Sequence, residues 1–138
     1  MNHKRGVIAL IATFLFIFFF GFVWHGLLMK PYYMQMPEHW HAVPIFPWLI
    51  LGHVILAFAF TGLYVSKVGI NSAATGFGYG IVMGIFAAGA DILRFATEPL
   101  SATVLCLWII GVLIEFGIAG LIVGAIYKPL AAHDPGRS

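Results

Sequence analysis

VIALIATFLFIFFFGFVWHGLLM, residues 7–29, is an apolar run long enough to cross a bilayer, because a spanning helix takes about 20 mostly apolar residues. The basic start His3-Lys4-Arg5 resembles a signal peptide. The run, however, exceeds the ~7–15 apolar residues of a signal core, and no small-x-small cleavage site ends it. A retained first helix over Val7–Met29 is therefore expected, stopped by Pro31, which lacks the donor a helix needs to continue.

Three further apolar runs follow. They predict helices over Ile45–Ser66, Ala73–Ala96 and Ala102–Tyr127. Pro47 suits a first turn, Pro99 closes the third helix, Ser101 is placed to cap the fourth, and Pro129 ends it. The segment Lys30–Val43 is too polar to span, and residues 67–72 make a short connection. The expectation is an all-α polytopic membrane protein, residues 1–138 forming one domain of four transmembrane helices in an antiparallel bundle.

Composition agrees. The chain of 138 residues is 62% hydrophobic and 9% charged, with a mean hydropathy of +1.00; a soluble domain of this size has no use for so much apolar surface. A net charge of +2 without a basic stripe argues against a nucleic-acid partner. Cys106, the single cysteine, can form no intramolecular disulfide. No nucleotide loop, nucleophile elbow or zinc-protease motif is present, so no catalytic residues are assigned and the protein is read as non-enzymatic.

Small residues recur four apart on the third helix (Gly76, Gly80, Gly84, Ala88), and Gly117, Gly120 and Gly124 lie on the fourth. Lipid gives helices no hydrophobic drive to associate, so such stripes mark close backbone packing. That packing lies within the bundle or, as the alternative, in a homo-oligomer or larger membrane complex.

Each helix also carries ionisable groups beside its small residues. Gly21, His25 and Met29 are spaced by four, His53 shares a face with Ala57, Thr61 and Tyr64, Asp91 follows Gly84 and Ala87, and Glu115 lies between Gly111 and Ala119. Charged groups in hydrocarbon cost about 2.5–3.5 kcal/mol even on the lenient insertion scale, so they need partners or a purpose. His25–Asp91 and His53–Glu115 are the expected pairs, with Arg94 placed to neutralise Asp91 at i+3. This cluster is either packing glue or a functional site. No cofactor is predicted outright, but His25 and His53 could hold a b-type haem. The loop residues Met34, Met36, His39 and His41 combine thioether and imidazole, ligands suited to copper if alternate residues of an extended segment face one way. A small transporter or proton-linked channel, built as an oligomer, is a further alternative.

Gly21-x-x-Trp24-His25-Gly26-x-Leu28, together with Leu107 through Gly111 and Gly120 through Pro129, resembles small four-helix bacterial inner-membrane proteins of uncharacterised function in which Trp-Tyr-Gly or Trp-His-Gly closes the first helix. The resemblance implies a four-helix fold in a bacterial inner membrane and implies no activity.

With the N-terminus inside, Lys4, Arg5, Lys67, Lys128 and Arg137 fall on the cytoplasmic side, leaving Lys30 and Arg94 opposite. The positive-inside rule then puts both termini in the cytoplasm. Reporters joined after Ser138 or within residues 71–74 are expected to report as cytoplasmic, and one near Pro37 as external. An external signal at the carboxyl end would exclude this arrangement.

Overall fold

The computed structural model describes residues 2–67 and 72–128. The expected 67–72 connection, Pro129 and the tail fall wholly or partly outside them. Within the described residues the chain is all-helical, and four helices are long and apolar enough to cross a membrane. Helix α1 spans His3–Gly21 and continues as a π-helical stretch over Phe22–Leu28. A single turn, α2 (Lys30–Tyr33), and a short 3-10 turn at Pro37–His39 follow. The remaining spans are α3 (Phe46–Lys67), α4 (Ala73–Thr97) and α5 (Ala102–Ile126). We call the end carrying residues 29–45 and the α4–α5 turn the upper end.

Most boundaries fall where the sequence places them, and the exceptions have local causes. α1 starts at His3 rather than Val7, because the Asn2 side chain accepts from the Arg5 amide at 3.3 Å and caps the basic turn. Ser101 caps α5 as expected, accepting from Val104 N at 3.2 Å, and Ser72 caps α4 in the same way through Thr75 N. Pro31 does not simply stop the first helix. It sits in the first turn of α2, after the π-helical stretch. A proline cannot donate to the carbonyl four residues back, and its ring crowds that carbonyl. A widened turn ahead of it relieves both problems, and Met29 N bonds Trp24 O, five residues back, at 2.8 Å.

The widened turn also rotates the chain. Spacing by four predicts one face for Gly21, His25 and Met29, but they part company. Gly21 faces His53 on α3, whereas Met29 is buried with Leu100, Val104 and Trp108 at the top of α5. Trp24 turns inward over Gly111 of α5, where a Cβ would collide with its indole.

α1 packs against both α3 and α5, and α5 lies along α4. The four fully buried positions of α4 are Gly76, Gly80, Gly84 and Ala88, the stripe read from the sequence. A Cβ on Gly76 would overlap the Gly120 carbonyl, and a Cβ on Gly120 would overlap that of Gly76. Gly80 meets the Phe116 carbonyl in the same way, while Gly124 meets that of Ser72 and lies beside Gly76. Gly117 accommodates the Phe77 and Ile81 side chains instead. Glycine hydrogens aimed at facing carbonyls make weak contacts of about 0.5–1 kcal/mol each. At the lower end Phe60, Tyr64, Ala119 and Val123 form the core, and the Tyr79 hydroxyl donates to the Phe60 carbonyl at 2.7 Å, tying α3 to α4.

Two glycines, Gly120 on α5 and Gly78 on α4, separate close packing from mere flexibility. Replacing Gly120 by alanine drives a Cβ into backbone that cannot step aside, and should cost about 1–3 kcal/mol or more. A Cβ on Gly78 would meet nothing within 4 Å, so Gly78→Ala should leave stability unchanged or raise it by up to ~1 kcal/mol. Thermal unfolding in detergent reads the difference; equal melting temperatures for the two variants would refute the interface.

Candidate upper-end binding site

The sequence pairs four of the intramembrane ionisable residues, His25 with Asp91 and His53 with Glu115. The structure brings His25, Asp91 and Arg94 to one cavity of about 240 Å³, walled by Tyr33, Trp40, Trp108 and Val112. His53 and Glu115 do not line it.

The π-helical stretch carries Trp24-His25-Gly26 and hands His25 to the loop. π-helical turns often occur at functional sites. His25 Nδ1 lies 2.6 Å from the Tyr33 hydroxyl, and its ring stacks on that of Tyr33, with a 7° interplanar angle. Trp108 Nε1, which can only donate, gives its hydrogen to the same hydroxyl at 2.8 Å. One phenolic oxygen thus joins α1, α2 and α5. His25 is bonded to Tyr33 rather than to Asp91, because α2 folds back over the top of the bundle and brings the phenol between them. Asp91 accepts no hydrogen bond from the described residues.

Arg94 pairs with Glu98, not with Asp91. Nε and Nη2 each lie 3.2 Å from a carboxylate oxygen. Four residues on, Glu98 is the C-cap residue of α4 and lies outside the span, where a bidentate pair is satisfied without drawing Asp91 out of position. The guanidinium also lies 4.7 Å from the centre of a Trp108 ring, a cation–π contact. Glu98 is held below the usual carboxylate range, first by its hydrogen bond to Arg94. Its contribution is complete above the ordinary glutamate value and is lost as pH falls through the depressed one.

Trp40 completes the wall. Its ring centre is 4.6 Å from that of Tyr33 and 6.0 Å from that of Trp108. Its indole N–H is buried without a partner among the described residues, an unmet donor of the sort that buried sites seldom leave without cause.

His53 is used differently. Its Nδ1 bonds the Leu49 carbonyl of its own helix at 2.7 Å, so that nitrogen carries the hydrogen, and its Nε2 side rests against Gly21. Phe18 meets the ring edge-on at 5.3 Å. The expected His53–Glu115 pair is not formed. Glu115 is half-buried on α5 and makes no hydrogen bond or ion pair with the described residues. His25 and His53 share no hydrogen bond. Their ring nitrogens are instead oriented by Tyr33 and Leu49.

The loop does not have the extended form that the copper reading of Met34, Met36, His39 and His41 requires. Helical turns at Lys30–Tyr33 and Pro37–His39 break the alternation. Met34 is exposed, Met36 packs into the aromatic cluster, His39 lies 3.5 Å from its neighbour Glu38, and His41 is exposed. Among the described residues no three His, Cys, Asp or Glu side chains are grouped as metal ligands.

Tyr33, Trp40, Trp108 and Val112 are not among the sequence candidates for a site. The available signal is the density of tryptophan and tyrosine around residues 24–48, which reads equally well as interfacial anchoring. Comparisons with family models, with curated proteins and with solved structures gave no match.

Tyr33 lies outside the spans, and burial, the largest influence on it, pushes its hydroxyl above the ordinary tyrosine value, with the Trp108 hydrogen bond and Arg94 opposing. Such a group stabilises fully below the ordinary tyrosine pKa, and that contribution is lost as pH rises through the raised value. Tyr33→Phe strips Trp108 Nε1 of its acceptor and should cost about 1–3 kcal/mol. It should also flatten part of the alkaline fall in melting temperature. A variant with parental stability and an unchanged alkaline limb would remove Tyr33 from this role.

Proposed function

We propose that the protein is a non-enzymatic accessory protein of a bacterial inner membrane, with both termini cytoplasmic, whose working part is a ligand-binding cavity at the upper end. The observation that carries this reading is the cavity itself. It brings together Asp91, which no described residue satisfies, and His25, which the π-helical turn carries and the Tyr33 hydroxyl holds in place. Purely structural polar groups in a membrane are expected to satisfy one another. Here Asp91 is left without a hydrogen bond from the described residues, beside empty space, as in a preformed binding site. At about 240 Å³ the site lies below the ~300–1,000 Å³ typical of drug-sized ligands, which points to a small polar molecule or headgroup.

Self-association is the second reading. Residues 41–52, including the upper half of α3, are all exposed, which leaves apolar surface there for a second copy. The glycine stripes do not argue for it, since they are consumed between α4 and α5.

Val112 lines the cavity without bearing on its hydrogen bonds. Val112→Phe should therefore fill the space while the bundle survives. Molecules co-purifying with the parent, identified by mass spectrometry, should be absent from the variant, and light scattering on the same preparations reads self-association. Identical contents in parent and variant would exclude the cavity as the site.

A further inference from the structure

We propose that the cavity holds a compact zwitterion, the phosphoethanolamine headgroup of a membrane phospholipid, with Asp91 taking the ammonium and Arg94 the phosphate. This rests on the reading of the cavity as a binding site and names its ligand. The first argument is charge. Asp91 and Arg94 lie three residues apart on α4 and line the same space, yet they are not bonded to each other. Arg94 commits Nε and Nη2 to Glu98, which leaves the Nη1 hydrogens for a second anion. His25 lines the same space, its Nδ1 engaged by the Tyr33 hydroxyl. Among the described residues Asp91 has no cation bonded to it, and Arg94 keeps Nη1 donors beside its Glu98 pair; a zwitterion engages both groups at once.

The second argument separates ammonium types. Quaternary ammonium groups are usually held over open aromatic faces. Here Arg94 already lies against Trp108, while the Tyr33 and Trp40 rings are packed on each other. What remains is a carboxylate, which favours a primary ammonium able to donate hydrogen bonds. The third argument is place. The cavity lies at the loop end of four apolar spans, the level at which phospholipid headgroups border the hydrocarbon. That setting favours a lipid over a free solute.

The test uses the full chain in detergent, mixed in turn with phosphatidylethanolamine, phosphatidylcholine and phosphatidylglycerol, with retained lipid read by native mass spectrometry. Phosphatidylethanolamine should be retained about tenfold over the other two, the discrimination expected of one charge-assisted hydrogen bond. Asp91→Asn should erase that preference and Asp91→Glu should restore part of it, with gel filtration confirming that both variants fold. Displacement by free phosphoethanolamine at equal concentration would overturn a lipid as the source. Equal retention of all three lipids, lowered alike by Val112→Phe, would overturn the zwitterion assignment and leave the binding cavity standing. No retention by the parent of any lipid or of free phosphoethanolamine, together with no effect of Val112→Phe on co-purifying molecules, would overturn both.

Discussion

Helices surrounded by lipid gain nothing by hiding apolar surface from one another, so contact must come from how closely their backbones approach. The α4–α5 pair meets that constraint with reciprocal glycines, Gly76 against the Gly120 carbonyl and the reverse, and with Gly80 and Gly124 extending the seam. α1 lies against the far side of α5, admitted by Gly111 beneath Trp24, and α3 lies against α1, admitted by Gly21 beneath His53. Each helix is positioned by the absence of a side chain on it or its neighbour. The aromatic residues of the bundle then fill what those absences leave.

The upper end follows from this seam and from one proline. With α4 and α5 held together, Trp108, Arg94 and Asp91 are brought to one side of the bundle. Pro31 favours a widened turn before it, and the turn swings Met29 onto α5 and the loop across the top. Tyr33 can then reach both His25 and Trp108 with a single hydroxyl. The cavity is what remains beneath that loop. It is polar because Arg94 and His25 find partners at its edges, in Glu98 and Tyr33, while Asp91 finds none among the described residues.

Two of the polar side chains show how differently such groups are used. His53 is satisfied by its own helix through the Leu49 carbonyl and fits against a glycine, which is a packing role. Asp91 lines a cavity and accepts no hydrogen bond within the described residues. Burying such groups without partners is expensive, so the arrangement makes sense if something outside the chain completes it.

Hydropathy, prolines and spacing by four are enough to read four spans, the Ser101 cap and the buried stripe of α4, because each depends on neighbours within a turn or two of the same helix. The candidate site is legible only as an inventory: His25, Asp91 and Arg94 stand out, but their partners do not. Arg94 turns to Glu98 and His25 to Tyr33, because partner choice depends on how far each helix is rotated and on where a loop lands. The π-helical turn at Phe22–Leu28 changes that rotation in a way a regular helical period cannot register. Tyr33 and Trp40 look like interfacial anchors in the sequence, since an aromatic residue near a helix end reads the same whether it faces lipid or a neighbour. The sequence by itself determined which segments cross the membrane and which faces pack tightly, since those are properties of single helices. Only the tertiary structure decided which polar groups meet, because that is settled by the fold of the loop over the seam between α4 and α5.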